Sequence, residues 1–209
     1  MRDIPVFTTE NGVASLVFSQ IPYSKKAYIR IQDTVMGEEF LNECISFCLS
    51  AGAESVYATG HPVCENYPEY TAVFEMRAER SSIMDSDAAV FPVTEQTAEQ
   101  WREIYNKKVC CVPAGSWMTL QQAKKMTDGY FVHRNGQLLG IGKASDDKIH
   151  WVASCESGAG KDVVCALCHT LTGDTVTLEV ASANTKAIRL YEKLGFIPTK
   201  EILKWYQVK

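Results

Sequence analysis

The sequence predicts an α/β protein of the α+β kind, in which a mixed central sheet is flanked by helices. Apolar segments of strand length alternate with amphipathic helical segments along the chain. Asn135-Gly136 joins two of these strands as a tight hairpin, because both central positions of such a turn require a positive φ. Between residues 151 and 181, a strand, a glycine turn, a helix and a second strand follow one another, which places the glycine turn at a helix N-terminus.

The elements before residue 80 are four strands and one helix. We predict the strands at 13–21, 27–32, 55–59 and 71–78 and the helix at 37–51. The apolar side chains of the helix lie on one stripe, formed by Phe40, Leu41, Cys44, Ile45 and Cys48. Gly52 follows and can end the helix in the left-handed conformation.

A polar stretch without periodicity, residues 80–89, separates this segment from the rest of the chain. Beyond it we predict strands at 88–93, 129–134, 137–144, 148–154 and 175–181, helices at 98–110, 120–126, 160–171 and 185–194, and a final pair of strands within 196–208. The chain is therefore predicted to have two domains, 1–85 and 86–209.

Composition and charge argue against several classes of protein. The 209 residues, 46% of them hydrophobic, can form one mid-sized domain or two small ones. A net charge of −4 gives no electrostatic support for a nucleic-acid partner. No apolar run approaches the roughly 18–20 residues that a membrane helix needs, and residues 1–5 carry an acid and a proline where a signal peptide would not. We expect a soluble, cytoplasmic protein without a membrane or nucleic-acid partner.

The eight cysteines are expected to be reduced and mostly buried, because they are spread over a large chain without a secretion signal. Cys165 and Cys168, for example, fall within a predicted helix. His61, near Cys64, would need further ligands to hold a metal ion, so a loop histidine is the favoured interpretation. We predict no metal site.

The glycine turn is the first candidate site. Gly158, Ala159 and Gly160 leave their backbone amides open to an anion, and the helix that follows adds its positive end at the same point. A diphosphate would fit such a site. A plain tight turn that packs a helix against a strand is an equally open interpretation of this motif alone.

Glu179 is the second candidate. It lies in the middle of the strand at 175–181, next to Leu178 and Val180, and apolar surroundings would suit a general base that works near neutral pH. The alternative is a glutamate at the sheet surface that points to solvent.

Tyr191 is the third candidate, on the apolar stripe of the helix at 185–194. A tyrosine in such a place is usually a core residue. Its phenol stays protonated at neutral pH, however, and can act as an acid toward a departing thiolate.

Together these sites make the chain from about residue 88 to 209 resemble the GCN5-related N-acetyltransferases, the GNAT superfamily. The family's pyrophosphate loop, Q/R-x-x-G-x-G/A, lies over residues 155–160, CESGAG. The segments 178–184, LEVASAN, and 187–196, AIRLYEKLGF, are similar to the branch that acetylates the N-termini of ribosomal proteins. The resemblance implies a GNAT fold, acetyl-CoA as the cosubstrate and acetyl transfer to an amine.

The resemblance also implies roles for individual residues. Glu179 would be the general base and Tyr191 the general acid. Asn184 would hydrogen-bond the pantetheine arm of the cosubstrate, with which the strand around Val152 would pair. The cofactor-binding positions implied are Val152, Ser157, Gly158, Ala159, Gly160, Lys161, Asp162, Asn184, Ala187 and Tyr191.

Two departures from the family pattern stand out. Cys155 occupies the Q/R position, so backbone amides and the neighbouring Lys161 would have to hold the diphosphate. In the first segment, only Gly37 stands where a diphosphate loop should be, and no Asn-x6-Tyr pair follows the strand at 55–59. We expect residues 1–85 to be a smaller, degenerate and non-catalytic GNAT-like half, and 86–209 to be catalytic.

The expected function is transfer of the acetyl group of acetyl-CoA to a primary amine, of a small molecule or a protein N-terminus, by direct attack. A homodimer is a possible assembly. Two alternatives stay open at this point. One is a catalytically weak acyl-CoA-binding sensor, and the other is an interaction module built from two acetyltransferase-like halves.

Overall fold

The structure is a computed structural model that describes residues 5–109 and 112–209. The helices in this part of the chain are α1 (Ile21–Ser24), α2 (Gly37–Ser50), α3 (Ala98–Val109), α4 (Leu120–Lys124), α5 (Gly160–Cys168) and α6 (Thr185–Lys193). The strands are β1 (Val6–Thr9), β2 (Gly12–Val17), β3 (Lys26–Thr34), β4 (Ser55–Thr59), β5 (Glu69–Glu79), β6 (Ala89–Pro92), β7 (Gly129–Arg134), β8 (Gln137–Ser145), β9 (Lys148–Ser154), β10 (Thr175–Ala181) and β11 (Ile197–Gln207). The predicted class, a mixed sheet flanked by helices, is confirmed.

The structure differs locally from the prediction. β1 and α1 were not expected, and the predicted strand pair within 196–208 is wrong, because β11 is one continuous strand of 11 residues. The first six residues of β11 are all exposed, so the alternation that marks a half-buried strand is missing there. Cys110, the last residue of the helix predicted at 98–110, lies outside the described residues.

The chain divides into two compact units. Unit 1 comprises Met1–Ala72, Val109–Trp117 and Leu203–Lys209, and unit 2 comprises Val73–Lys108 and Met118–Ile202. These boundaries differ from 1–85 and 86–209, because β5 and β11 have residues in both units. The assignment of activity to residues 86–209 stays a prediction.

In unit 1, β2 pairs antiparallel with β3, and β3 pairs parallel with β4. The end of β11 pairs antiparallel with β4. Helix α2 covers one face of these strands, where its apolar stripe packs on the inward side chains of β3. The residues that form this contact are Ala27, Ile29, Ile31, Phe40, Leu41, Cys44 and Cys48, all buried.

In unit 2, the strands lie in the order β5-β10-β9-β8-β7-β6, and β9–β10 is the parallel pair. Asn135 and Gly136 both have positive φ, as the hairpin between β7 and β8 requires. Helix α5 lies so close to β8 that a Cβ on Gly142 would overlap the side chain of Leu167. This close approach fixes the position of the helix above the sheet.

The cysteines within the described residues are free thiols, and five of the six are buried. Burial raises the pKa of Cys44, Cys48 and Cys168 to about 12, so these thiols stay protonated at neutral pH. His61 accepts a hydrogen bond from the Val63 amide at its Nδ1 (3.2 Å). Across residues 5–109 and 112–209, no helix is both long and apolar enough to cross a bilayer.

Candidate functional site

The two parallel strands of unit 2 part soon after they pair. β9 and β10 share only the register pairs Lys148↔Thr177 and Ile149↔Leu178, although both strands continue beyond them. A β-bulge lies at this point, because Trp151 pairs with Lys143 of β8 while Ile149 pairs with Ala144, which leaves His150 as an extra residue. From His150 onward, β9 is paired with β8 alone, and its other edge is open.

The bulge decides which peptide groups face the opening. The Cys155 amide donates to the Leu139 carbonyl of β8 (2.7 Å). Since peptide groups point to alternate sides along a strand, the N–H and C=O of Ala153 also point to β8, and those of Val152 point into the opening. Val152 therefore presents a free donor and acceptor at the edge where the resemblance placed it.

The glycine turn follows directly at the carboxyl end of β9. Gly158 has a φ of +82°, which favours glycine, and a Cβ there would meet nothing within 4 Å. Ala159 is the N-cap of α5 and has no side chain that could accept from the first amides of the helix. The amides of Gly160, Lys161 and Asp162 therefore point outward without a capping side chain, beside exposed Ser157.

The negative charge in the first turn of α5 is balanced by an arginine. Arg134 Nη2 lies 2.9 Å from Asp162 Oδ1 and 2.5 Å from Asp87 Oδ1. The carboxylate of Asp162 is thus engaged, and its backbone amide is the group left for a ligand. Arg134 reduces the repulsion that an anion would meet at this helix start.

Asn184 and Ala187 lie at the carboxyl end of β10, at the start of α6. Asn184 is the N-cap and its Oδ1 accepts from the Ala187 amide (3.2 Å), which leaves the side-chain NH₂ group to donate elsewhere. A Cβ on Gly160 would lie 3.1 Å from Leu190 Cδ2, so the beginning of α5 lies beside α6. Because β9 and β10 are parallel, both helix N-termini lie at the same edge of the sheet.

Glu179 lies on the exposed face of β10. Leu178 and Val180 point to the other, buried face, so the apolar surroundings expected for this carboxylate are not present. Its Oε1 lies 2.6 Å from Lys148 Nζ of β9, and its side chain is 43% exposed. Glu75 of β5 is its cross-strand partner, and the hydrogen bond from Thr199, assisted by Lys200, lowers the pKa of Glu75.

Tyr191 is a core residue, only 7% exposed, and its ring packs 5.9 Å from that of Phe196. Burial raises its pKa to about 12, with a smaller contribution from Cys168. The phenol is therefore protonated at every physiological pH.

His150 is a functional candidate that the sequence analysis missed. Burial, and next Lys143, lower the pKa of His150, so its imidazole is neutral at pH 7 and can accept a proton. Its Nε2 lies 2.8 Å from Ser145 Oγ. Only the bulge places this residue at the parting of the strands, and a bulge leaves no mark in the hydrophobic pattern.

An aromatic cluster lies next to the bulge. The ring of Trp151 lies 4.7 Å from that of Tyr105 and 6.1 Å from that of Trp101 on α3. Trp101 is fully buried and its Nε1 donates to the Tyr130 carbonyl (3.0 Å). Trp151 thus packs against the aromatic side chains of α3 beside the open edge of β9.

Cys155, at the position of the family's Q/R residue, is half-buried, and burial raises its pKa. It contributes a neutral thiol beside the glycine turn. No group of three or more His, Cys, Asp or Glu side chains among the described residues is arranged to hold a metal ion.

Comparisons with known proteins include the segments that form this site. Residues 155–205, which contain the glycine turn, α5, β10 and α6, match the family model described as FR47-like protein. Among curated proteins, none matches the chain.

Solved structures resemble the chain over most of its length. A functionally unknown conserved protein from Staphylococcus epidermidis ATCC 12228 has a TM-score of 0.63 at 11% identity, over 99% of this chain and 94% of that one. A GCN5-related N-acetyltransferase from Anabaena variabilis ATCC 29413 has a TM-score of 0.59 at 10% identity, over 94% of this chain and 59% of that one. A second GCN5-related N-acetyltransferase, from Sphaerobacter thermophilus, has a TM-score of 0.52 at 12% identity, over 94% of this chain and 76% of that one. At such identities the likeness is one of fold, and the fold is that of the GCN5-related N-acetyltransferases.

Proposed function

We propose that this chain is a GNAT-superfamily N-acetyltransferase that moves the acetyl group of acetyl-CoA to a primary amine by direct attack. The observation that carries the proposal is the parting of β9 from β10 beside the uncapped start of α5. A sheet with an open internal edge next to a bare helix N-terminus suits a ligand that has both an amide arm and a diphosphate.

The residues of the opening fit acetyl-CoA, which supplies the acyl group as an activated thioester. The amides of Gly160, Lys161 and Asp162 would hold the diphosphate, with the Lys161 side chain as an added cation. The free carbonyl of Val152 would accept a hydrogen bond from a pantetheine amide, and the NH₂ group of Asn184 would donate to the same arm.

The carbonyl to be attacked needs a donor that is in place before the reaction. The open edge of β9 supplies the Val152 amide for this role, since the Ala153 amide points to β8. A fixed backbone donor stabilises the developing oxyanion without reorganisation, and loss of one such donor typically costs about 10²–10³ in turnover.

Glu179 is the base we propose, acting directly or through water, because it lies on β10 at the end of the paired region. Its carboxylate must leave Lys148 to accept a proton, and an exposed ion pair of this kind is weak enough to exchange. His150 is the second candidate base, because its neutral imidazole lies on the bulge where the strands part.

Tyr191 would stabilise the departing sulfur by donating a hydrogen bond. Its pKa of about 12 means that it holds its proton more tightly than a thiol, whose pKa is about 8.5. Tyr191 therefore acts as a donor in the transition state, and complete proton transfer falls to water or to the conjugate acid of the base.

The acceptor we favour is an α-amino group. An α-amine has a pKa of about 8 and a lysine side chain about 10.4, so the α-amine requires less deprotonation before attack. The similarity of residues 178–196 to the branch that acetylates ribosomal-protein N-termini makes a peptide N-terminus the first acceptor to test. The ring of Trp151 would hold a cationic amine by a cation–π contact before its deprotonation.

A second candidate function is an acyl-CoA-binding sensor without efficient turnover. Cys155 stands where the family has a polar side chain, and the carboxylate of Glu179 is paired with Lys148. The pairing of Glu179 with Lys148 would weaken catalysis more than binding, and backbone amides can hold the diphosphate without the side chain missing at Cys155.

Thermal unfolding with acetyl-CoA, followed by an acetylation assay read by mass spectrometry, tests the proposal. A ligand at a hundred times its Kd adds about 2.7 kcal/mol to the free energy of unfolding. A shift together with acetylation of short peptides or small amines supports the enzyme, and a shift without product on any amine supports the sensor. Absence of any shift rules out both functions and leaves a pure interaction module.

A further inference from the structure

Unit 1 contains a cavity of about 590 Å³ that the proposed function does not use. It lies on the face of β2 and β3 that is turned away from α2, where Ser15, Tyr28 and Arg30 line it. Sites for small molecules typically occupy about 300–1,000 Å³. The cavity therefore has room for a ligand of its own.

Arg30 is the single charged residue that lines this cavity, and no carboxylate in the described part of the chain lies within ion-pair distance of it. A guanidinium is charged at every physiological pH and presents a planar fork of N–H donors that matches a carboxylate. An unpaired arginine in a concave site selects for an anion.

Ser15 adds a second hydrogen-bond donor to the cavity, opposite Arg30. Ser15 and Arg30 are register partners across β2 and β3. The Ser15 hydroxyl accepts a hydrogen bond from Gln32 Nε2 (2.6 Å), so its own hydrogen is left to donate to a ligand. The two side chains together form a cradle for the two oxygens of one carboxylate.

The rest of the wall is aromatic and apolar. Tyr28 and Trp205 are 2% and 6% exposed and pack edge to face with ring centroids 5.3 Å apart. Val17, the cross-strand partner of Tyr28, lies beside them. Because so little of each ring is exposed, the two rings offer a planar apolar group edge contacts.

We propose that unit 1 binds an aromatic monocarboxylate in this cavity, with the carboxylate on Arg30 and Ser15 and the ring against Tyr28 and Trp205. The cavity lies wholly within unit 1, so the inference stands apart from the activity proposed for the opening between β9 and β10.

Titration of the whole 209-residue chain with phenylacetate tests this site by NMR of the tryptophan indole N–H groups. The chain has four tryptophans, and a Trp205→Phe variant identifies the Trp205 signal. We expect a saturable shift of that signal with phenylacetate. In Arg30→Gln, loss of the charged hydrogen bonds should weaken binding by about ten- to a hundredfold.

Two controls keep the outcome decisive. Phenylacetamide has the same ring and nearly the same shape without the charge, and Arg77→Gln removes an exposed arginine in unit 2. The proposal is supported if phenylacetamide binds more weakly than phenylacetate and Arg77→Gln binds like the wild type. It is overturned if Trp205 does not respond saturably, if the amide binds as tightly as the acid, or if Arg30→Gln binds as the wild type does.

Discussion

β9 and β10 of unit 2 part after two register pairs, whereas β3 and β4 of unit 1 stay paired along all five residues of β4. Both pairs are parallel, and both are joined by a helix on one face of the sheet. The same order of elements thus creates an open internal edge in unit 2 and a closed one in unit 1. The difference is the number of residues over which the second strand stays paired with the first.

The N-termini of the two connecting helices, α2 and α5, also differ in how well they could bind an anion. The first turn of α2 holds Glu38 and Glu39, and a Cβ on Gly37 would lie 3.1 Å from the ring of His61. At the start of α5, a Cβ on Gly158 would meet nothing, and the one acid in the first turn is paired with Arg134. An anion would find repulsion and a bulky ring at α2 but open amides at α5.

The elements after the second strand differ too. β4 is followed by the short 3₁₀ turn Pro62–Asn66, and β10 by the helix α6. Among the described residues of unit 1, the segment after β4 therefore has no counterpart of Asn184 or Tyr191. We propose that the two units have separate roles, and the following variants test this proposal from the largest expected effect to the smallest.

The largest expected effect is at the helix starts. Gly158→Asp places a carboxylate in the open turn, and aspartate tolerates a positive φ better than most residues. We expect it to abolish the thermal shift with acetyl-CoA, about 2.7 kcal/mol at a hundred times the Kd. Met36→Asp at the N-cap of α2 is the matched control and should keep the shift. Equal loss in both variants would contradict the comparison.

The next largest effect is expected at Glu179 of β10. The corresponding strand of unit 1, β4, has the sequence SVYAT and contains no carboxylate. Glu179→Gln should lower kcat by about 10²–10⁴ if the carboxylate is the base. Lys148→Met breaks the same ion pair and keeps the carboxylate, so it should retain most of the turnover. If both variants lose activity alike, the pair is structural and His150 becomes the base to test.

A smaller effect is expected at Tyr191. Tyr191→Phe keeps the buried ring against Phe196 and removes the hydroxyl, so kcat should fall on the order of 10²-fold with little change in acetyl-CoA affinity. Tyr70→Phe, in unit 1, is the control. Unchanged turnover in Tyr191→Phe would leave this residue a core tyrosine only.

The smallest effect is on the pH dependence of stability. Because the pKa of His150 is lowered in the folded protein, the unfolded chain binds more protons at this site below about pH 6.5, and stability falls as the pH drops through this window. His150→Gln should make the decrease in Tm between about pH 7 and 5 shallower. Strand β3 of unit 1 has a bulge too, in which Gln32 is the extra residue. His150→Gln therefore places the same residue type in the bulge of β9. An unchanged slope would show that His150 does not titrate differently on folding.

Much of the fold was predictable because its signals are local. The Asn135-Gly136 turn, the apolar stripe of α2 and the alternation in β10 each depend on neighbouring residues and were located correctly. The glycine turn before α5 and the start of α6 after Asn184 were predictable for the same reason.

What sequence reasoning missed depends on distant partners. The surroundings of Glu179 are set by Lys148 on another strand, and the position of His150 is set by a register shift against β8. β11 has exposed residues along its first half, so its pairing cannot be inferred from hydrophobic alternation. The Arg30 cavity likewise forms only when β2, β3 and β11 come together.

The extra residue at the bulge limits how β9 can change during evolution. Loss of one residue there would remove the bulge and restore regular pairing, with Val152 still opposite Gly142 and its peptide still turned to the opening. Loss of a second residue would move Val152 opposite Lys143 and turn its peptide toward β8. Shortening β9 by one residue at His150 is therefore expected to preserve the open edge, and shortening it by two residues to close it.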